Sequence, residues 1–503
     1  MTPHLGLAHL AASLRVRGHA VKLIEAAAVS QDNAGLAALV QGSDPLLIGI
    51  TCTYDNYGLA IDLAKRLKAA LPRTRICMGG HHVSFVPTEA LSQEASVDFI
   101  LRGEAELSLP ALVDSLQGRR PIQEVAGLAY RQDHAVRLNE PAPAPALDAI
   151  PAPALDTYEV CVDRGVAALA TAHASRGCHM SCSFCDCMAF GRLHGRSIRW
   201  RPRPPNLVVQ DLLNLRRVLG ETGPVYFTDE NFLGPGQAGL KHASAVGAAI
   251  AELQPPLQFH VSFRADAVNR HSLPVIAALR RAGLRSVFLG LESGSQRILD
   301  RLGKRLSVRQ GLAALGALRR LGVAVPEVGF IMFTPDSTPR DLLANAALLR
   351  RTGHLTWSRL TQRLELFPGT QLSQEVMGGR DPGPGGWGYC YSLQHPVVGR
   401  MASGLAAIED RVGGLRRAEG WLARIELWIS NGSCGAGLRR RLSSFRRRVL
   451  RLTYDAFVGS LRMAAMGQDP SHPLLEASHR VAKWCEELEL ILADVASPGR
   501  ETA

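Results

Sequence analysis

The sequence lacks any apolar run long enough to cross a membrane, and its first residues do not form a signal peptide. A membrane-spanning helix needs about 18 consecutive apolar residues. A signal peptide needs a basic segment, an apolar segment and a small-residue cleavage site in that order. These absences argue against a membrane partner and predict a cytoplasmic location.

Acidic residues are outnumbered, with 45 Asp and Glu against 57 Lys and Arg and a net charge of +12. Seven arginines fall within residues 439–451, where no acidic residue occurs. Such a run could bind nucleic acid or an acidic partner, but Leu442, Phe445 and Val449 recur there at helical spacing. We therefore interpret the run as the solvated face of a helix and do not expect a nucleic-acid partner.

Cysteines are too few for the disulfide framework of a small secreted protein, at ten in 503 residues. Six of them are scattered, and the other four lie between Cys178 and Cys187. Clustering of this kind predicts a metal or redox site.

Residues 1–138 predict a doubly wound α/β domain. The predicted strands are 21–25, 46–52, 75–78 and 97–101, and the predicted helices are 5–17, 57–71 and 107–116. Short buried strands that alternate with helices are typical of a parallel sheet, whose ligand lies at the carboxyl ends of its strands. The interior first strand of a flavodoxin-like sheet is missing before Leu5, so we expect that the true start lies upstream or that the chain is truncated.

A Pro- and Ala-rich linker is predicted at residues 139–160, followed by a second alternating region at 161–373. Its predicted strands are 167–173, 225–228, 258–263, 286–291, 328–333 and 363–367. Six such strand–helix units predict a partial (β/α)6 barrel resembling an open TIM barrel, with its chemistry on the loops that follow the strands. Residues 374–503 predict a mostly helical, basic C-terminal region.

The most specific motif follows the first strand of the predicted barrel. Its three cysteines are Cys178, Cys182 and Cys185. Three thiolates on one glycine-bearing loop can hold a four-iron cluster and leave one iron without a protein ligand, which is the mark of a reactive site. The alternative is a zinc site completed by His179 or His194, but zinc sites usually consist of two separated ligand pairs. Cys187 is off the pattern, and we interpret it as a small buried hydrophobic residue.

This motif, with an aromatic residue before its last cysteine, resembles the signature of the radical S-adenosylmethionine (SAM) superfamily. The resemblance extends over residues 167–370 and implies a [4Fe-4S] cluster whose open iron binds SAM and whose electron cleaves it to methionine and a 5′-deoxyadenosyl radical. The residues that match SAM-contacting positions are Phe184, Asp229, Glu230, Asn231, Arg264, Glu292 and Ser293. Each match alone is weak, and Arg264 or Glu292 could instead form a structural ion pair.

The first domain resembles the cobalamin-binding domain that precedes one large class of radical SAM enzymes. The predicted cobalamin contacts are Thr51, Thr53, Tyr54, Gly79, Gly80, His81, Gly103 and Glu104. The Asp-x-His-x-x-Gly signature is absent, as it is in that class, so no protein histidine is expected on the cobalt. The loop from Tyr54 to Tyr57 is expected near the lower face of the corrin. His81 and His82 could instead be structural residues at a strand end.

The resemblance implies a class B-like methyltransferase that modifies carbon or phosphorus, most simply a carbon of a small-molecule or natural-product intermediate. An electron donor such as flavodoxin or ferredoxin is expected. Two alternatives stay open: a non-methylating cyclisation, ring rearrangement or oxidation, and a non-catalytic cobalamin- or metal-binding module. A methylthiotransferase would usually have a second cysteine trio, which is missing. No catalytic residue is identified, and the candidates for a substrate cover are Trp387, Tyr389, Tyr391 and Trp421.

Overall fold

The computed structural model describes residues 1–29, 32–195, 200–220, 223–430, 432 and 434–496. It divides into two compact units. The first unit is Met1–Val261, Arg281–Gly283 and Glu365–Cys390, and the second is Ser262–Arg280, Leu284–Leu364 and Tyr391–Ala503. Among the described residues, no helix combines the length and the apolar character that a membrane span requires.

Twelve strands and twenty-one α-helices are present in the described residues. The strands are β1 (Leu47–Thr51), β2 (Arg75–Gly79), β3 (Phe99–Leu101), β4 (Leu128–Gln132), β5 (Ala135–Leu138), β6 (Ala170–Ala172), β7 (Ser175–Arg176), β8 (Arg201–Pro202), β9 (Val225–Phe227), β10 (Phe259–Arg264), β11 (Leu284–Glu292) and β12 (Ala324–Phe330). The helices up to residue 251 are α1 (Leu5–Arg15), α2 (Ala26–Val29), α3 (Asn33–Ala38), α4 (Tyr57–Ala70), α5 (His81–Phe85), α6 (Pro87–Gln93), α7 (Ser108–Leu116), α8 (Asp156–Asp163), α9 (Asp186–Arg192), α10 (Pro205–Leu219) and α11 (Gly236–Ala251). The later helices are α12 (Leu273–Arg281), α13 (Gln296–Arg301), α14 (Val308–Arg320), α15 (Pro339–Thr352), α16 (Trp357–Thr361), α17 (Gln371–Met377), α18 (Pro396–Ala406), α19 (Gly413–Ser430), α20 (Ala436–Ala465) and α21 (His472–Ala496).

The first unit begins with a five-stranded sheet in the order β1-β2-β3-β4-β5. The pairs β1–β2 and β2–β3 are parallel, whereas β4 and β5 form an antiparallel hairpin at the edge. Ile76, Met78 and Ile100 are fully buried, because helices cover the parallel part of the sheet. Because β1, β2 and β3 are parallel, their carboxyl ends lie at the same edge of the sheet, as predicted from their alternation with helices.

The predicted strand at residues 21–25 is wrong. The structure assigns no regular secondary structure to this segment, and none of the described sheets includes it. Side chains hold it instead: Arg15 donates to the carbonyl oxygen of Val21 at 2.8 Å, and Glu25 accepts from the main-chain N–H of His4 at 3.2 Å.

The barrel strands follow the predicted alternation. In the first unit, β9 pairs in parallel with β6 and with the start of β10, and in the second unit β11 pairs in parallel with β12. The predicted sixth strand at 363–367 is reduced to isolated bridges, one of which is the parallel bridge between Phe333 and Arg363. The α/β class with a helical C-terminal region is confirmed.

The arginine-rich segment lies on α20 in the second unit. Leu442, Phe445 and Val449 are buried on one side of this helix, as the spacing predicted. Arg439, Arg440 and most of the other arginines in the run are exposed. The run is thus the solvated face of a packed helix.

Candidate active site

The three motif cysteines lie on the loop between β7 and α9 in the first unit. The loop starts at Gly177, whose φ of +82° is left-handed, and the N–H of Cys185 closes a turn on the carbonyl oxygen of Cys182 at 3.3 Å. All three cysteine residues are partly exposed. The loop is also fixed at Ser183, whose carbonyl oxygen accepts from Leu372 of α17 at 2.9 Å.

The donor set fits an iron–sulfur cluster. Burial raises the pKa of Cys185, and the negative charges of Glu230, Asp186 and Cys182 raise it further. A thiolate needs a neighbouring cation in such surroundings, and bound iron supplies it. Within the described ranges, no three His, Cys, Asp or Glu side chains are arranged around a single ion. Cluster cysteines bind different irons and so need not converge on one point.

His194, the alternative zinc ligand, is engaged elsewhere. Its Nδ1 lies 2.9 Å from the carbonyl oxygen of Ala142, and its Nε2 accepts from the main-chain N–H of Glu104 at 3.3 Å. One neutral tautomer satisfies both contacts, with the proton on Nδ1. With both ring nitrogens occupied, this histidine has no lone pair left for a metal ion.

Asp229, a predicted SAM contact, is held by the chain itself. It is 2% exposed, and its carboxylate accepts from the Oγ of Ser175 at 2.5 Å and the main-chain N–H of Ala174 at 2.9 Å. Burial raises the pKa of Asp229 to about 6, against the lowering effect of these hydrogen bonds. Both carboxylate oxygens therefore fasten the end of β9 to the strand that leads into the cysteine loop.

Glu230 and Asn231 differ from Asp229 in their surroundings. Glu230 is exposed, yet the protein around it raises its pKa, with a further contribution from Asp186 that His81 partly offsets. Asn231 is fully buried, and its side chain donates to the carbonyl oxygen of Gly234 at 3.3 Å. Phe184, the remaining predicted SAM contact of the first unit, is partly buried.

Glu104, a predicted cobalamin contact, forms ion pairs at the base of the cysteine loop. Arg176, two residues before Cys178, donates to Glu104 and to Glu106, each at 2.7 Å, and Arg201 on the paired strand β8 also donates to Glu104. Arg176 is only partly exposed, so these charge-assisted bonds are stronger than those of surface pairs. They join the loop after β3 to the start of the cysteine loop.

His81 makes a second link between the two regions. It begins α5 directly after Gly80, and its Nδ1 lies 2.7 Å from the Oδ2 of Asp186, the first residue of α9. Its ring stacks on Phe190 with centroids 3.9 Å apart and 3° between the planes. The His81 side chain remains 44% exposed.

The remaining predicted cobalamin contacts lie at the carboxyl ends of β1, β2 and β3. Thr51 and Thr53 are partly exposed and bond to His4 and Asp55, while Tyr54 packs edge-to-face on Phe367 at 5.2 Å. Gly79 ends β2, and Gly103 follows β3 with a φ of +81°. Nearby, the buried Oη of Tyr57 and Nδ1 of His82 have no hydrogen-bond partner among the described residues. Partly exposed polar groups and unsatisfied buried atoms around three strand ends fit a large polar ligand.

Substitution of Gly80 would test whether the fold itself requires glycine at this position. Its φ is +109°, and an added Cβ would lie 2.5 Å from the carbonyl oxygen of Cys52. We expect Gly80→Ala to lower the free energy of unfolding by at least about 1–3 kcal/mol, because a side chain is strained in this conformation and meets fixed backbone.

Urea unfolding followed by circular dichroism would measure this loss. Gly58→Ala is the matched control, since Gly58 lies in α4 with nothing within 4 Å of its added Cβ. The control should gain up to about 1 kcal/mol from helix propensity. Equal stability of the two variants would contradict the strain argument.

The SAM contacts predicted in the second unit form their own network. Lys304 donates from Nζ to Glu292 Oε1 at 2.5 Å, and its carbonyl oxygen accepts from Arg264 at 2.7 Å. Glu292 has a φ of +64°, and Ser293 donates to Asn345 at 2.7 Å. Glu292 is therefore part of a buried ion pair, the structural alternative that the sequence left open.

Sequence reasoning missed an exposed face on the central barrel strands. Tyr226 is 40% exposed, although β9 pairs on both of its edges. Its ring stacks on His260 with centroids 4.5 Å apart, whereas Val225 and Phe227 are buried on the opposite face. Barrel interiors are normally filled by packed side chains, so this exposure marks an open space. The sequence signal for this face is that Tyr226, which carries a polar hydroxyl, lies between the apolar residues Val225 and Phe227 in a predicted strand.

Comparison with known proteins identifies the family of this chain. The family model for the B12 binding domain matches residues 1–113, and that for the Radical SAM superfamily matches residues 173–349. A protein of Pyrococcus horikoshii named as an uncharacterised methyltransferase is 30% identical over 74% of this chain and 77% of its own length. The chain belongs to the cobalamin-dependent radical SAM superfamily. The expected cofactors are thereby confirmed: cobalamin for the first domain, and SAM with a [4Fe-4S] cluster for the second.

Other members of the superfamily differ in the reactions that their names state. A hopanoid C-3 methylase of Methylococcus capsulatus is 31% identical over 64% of this chain and 59% of its own length. An anaerobic magnesium-protoporphyrin IX monomethyl ester cyclase of Synechocystis is 28% identical over 63% of this chain and 62% of its own. The chain thus spans less than two thirds of these two relatives.

A solved structure supports the fold. The cobalamin-dependent SAM radical enzyme OxsB, with aqua-cobalamin and SAM bound, superposes with a TM-score of 0.75 at 19% identity, covering 98% of this chain and 78% of that one. At this identity the likeness extends to the fold alone, which agrees with the α/β domains and helical C-terminal region described above.

Proposed function

We propose that this radical SAM enzyme is a C-methyltransferase that acts on a small-molecule or natural-product intermediate. When bound, the cluster supplies the electron that cleaves SAM, and cobalamin supplies the methyl group. A reductant of the flavodoxin or ferredoxin kind would deliver the electron. Among the relatives, those named as methyltransferase and methylase support this reaction.

The observation that carries the proposal is the double link between the strand ends of the B12-binding domain and the cysteine loop. Glu104 pairs with Arg176 and Arg201 on one side of the loop, and His81 pairs with Asp186 on the other. Transfer of a methyl group to a substrate radical needs the two cofactors at a fixed, short separation, because the reacting groups must be held near contact. Links at both ends of the loop supply that rigidity.

Each residue takes a role that its surroundings allow. Cys178, Cys182 and Cys185 are proposed to hold the cluster. Glu230, which is exposed and whose charge acts on Cys185, is the candidate for the SAM amino group, whereas Asp229 fixes the strand end. A carboxylate with a raised pKa gains most from a cationic partner, because that partner restores its charged form.

The exposed face of β9 is our candidate for the substrate wall. Tyr226 on β9 and, just after the strand ends, Thr228 and Glu230 are all exposed, so exposed side chains extend from the stacked His260 toward the cysteine loop. Burial lowers the pKa of His260 to about 4, so the ring is neutral at pH 7 and can donate or accept one hydrogen bond. A stacked neutral pair of this kind suits an uncharged, partly planar substrate group.

Anaerobic reconstitution tests the reaction. The protein would be loaded with iron, sulfide and hydroxocobalamin, reduced, and given SAM together with a metabolite extract of a strain that lacks the gene. We expect 5′-deoxyadenosine together with a product heavier by roughly 14 mass units, the mass of one CH₂. SAM labelled with deuterium in its methyl group would pass that label to the product.

Two outcomes would replace the proposal. Formation of 5′-deoxyadenosine with an unlabelled, rearranged or cyclised product would favour the non-methylating alternative, which the relative named as a cyclase supports. Retention of iron and cobalamin without any cleavage of SAM would favour a binding module.

A further inference from the structure

We propose that His81 is a positioning residue that fixes the first turn of α9, directly after Cys185, and so couples cobalamin binding to the order of the cysteine loop. This inference rests on the cobalamin and cluster assignments and does not depend on methyl transfer. It gives His81 a function beyond that of a simple cobalamin contact.

The geometry of α9 carries the argument. Asp186 and Phe190 are four residues apart, so their side chains lie one above the other on one face of the helix. His81 touches both: its Nδ1 bonds to the carboxylate of Asp186 at 2.7 Å, and its ring lies flat on Phe190 at 3.9 Å. One imidazole thereby sets the rotation of α9 about its own axis as well as its distance from the end of β2.

The rotation of α9 bears directly on the cluster. Cys185 is the N-cap residue of this helix, and it has no side-chain capping bond. Its position is therefore set by the helix behind it and by the turn from Cys182 in front. Phe190 also meets Phe85 and His194 edge-to-face at 6.3 and 6.2 Å, so the ring is enclosed on several sides and transmits a displacement of His81 to α9.

The exposed part of His81 makes it sensitive to a ligand. His81 comes directly after Gly80, just beyond the carboxyl end of β2. Parallel sheets bind their ligands at this edge. The His81 side chain keeps 44% of its surface open while the Nδ1 edge and one ring face are engaged. A large ligand at this edge would cover the open part and restrict the ring further, which would stabilise its contacts with α9.

Hydrogen exchange tests the coupling without turnover. In cluster-free protein, we expect added hydroxocobalamin to slow amide exchange about tenfold in residues 186–194, the effect of stabilising one charge-assisted hydrogen bond. His81→Phe retains the stacking and loses the bond to Asp186, so this response should disappear. His81→Gln retains a donor and should restore part of it. Phe190→Leu, which removes the aromatic partner of His81 and keeps its bond to Asp186, should weaken it.

Two measurements on the reconstituted protein complete the test. The His81→Phe variant should still assemble its cluster and bind hydroxocobalamin, though more weakly because ligand binding and the order of α9 are linked, whereas the midpoint potential and the electron paramagnetic resonance spectrum of its reduced cluster should shift. An unchanged exchange response and an unchanged potential in His81→Phe would overturn the inference. Loss of hydroxocobalamin with normal order in 186–194 would also overturn it, because His81 would then be a cobalamin contact alone.

Discussion

Replacement of Cys178, Cys182 or Cys185 by alanine is expected to abolish assembly of the iron–sulfur cluster and, with it, cleavage of SAM. Three thiolates hold the cluster, and the loss of one leaves a second iron without a protein ligand. Formation of 5′-deoxyadenosine should fall by more than about 100-fold, beyond the cost of losing a residue that merely supports a metal ligand. Iron analysis, the visible absorption of the cluster and 5′-deoxyadenosine formation would measure the effect.

Cys187 provides the matched control for these variants. It lies two residues after Cys185, and burial raises the pKa of its thiol, with the charges of Glu230, Cys185 and Cys178 adding to the effect. It is thus a neighbour in the same electrostatic surroundings but outside the motif. Cys187→Ala should keep its iron and its activity. Loss of the cluster in this variant, or normal SAM cleavage in any variant of the trio, would contradict the assignment.

The motif could be predicted from the sequence because its chemistry depends on spacing within one loop. The parallel strands and long helices were predictable for a related reason, since short buried strands and amphipathic helices differ in their hydrophobic period. Helix α4 and strand β2 lie within a residue or two of the predicted bounds. Local patterns of this kind need no knowledge of the fold.

The hairpin of β4 and β5 could not be predicted in the same way. Its two-residue turn consists of Asp133 and His134, with φ values of +50° and +64°. Glycine and asparagine are the usual signals of such a turn, and neither is present. Pairing of β4 with β3 overrides the local preference of these two residues.

The partners of the strand-end residues also lay outside the reach of sequence patterns. His81 and Asp186 are 105 residues apart in the chain, and Glu104 and Arg176 are 72 apart. His81 and Glu104 each fitted a ligand contact at a strand end, and the fold engages both side chains with another part of the protein. Spacing identifies which residues gather at a strand end, whereas the division between ligand contacts and structural ties is set by tertiary packing.

Replacement of Glu426 by glutamine is expected to lower the free energy of unfolding by about 3–5 kcal/mol, the cost of removing one partner of a buried charge network. Glu426 on α19 is 3% exposed and accepts from Arg319 on α14 at 2.8 and 3.0 Å and from Arg446 on α20 at 2.8 Å. Both guanidinium groups also donate to the carbonyl oxygen of Thr352. The variant would leave two partly buried cations around one neutral amide.

The pH dependence of unfolding gives this prediction a second, independent measurement. Burial alone would raise the pKa of Glu426, but Arg446 and Arg319 outweigh it and hold the pKa below its usual value. A carboxyl group whose pKa is lowered by folding contributes stability above its unfolded value, about 4.3, and loses that contribution as the pH falls through the folded value. The stability difference between the wild type and Glu426→Gln, measured by urea unfolding, should therefore narrow on acidification.

Glu489→Gln is the matched control for this prediction. Glu489 pairs with Arg417 on the surface, where screening by water makes the contribution of an ion pair to stability small. Equal effects of the two substitutions at neutral pH would mean that the buried network does not stabilise the junction of α14, α19 and α20.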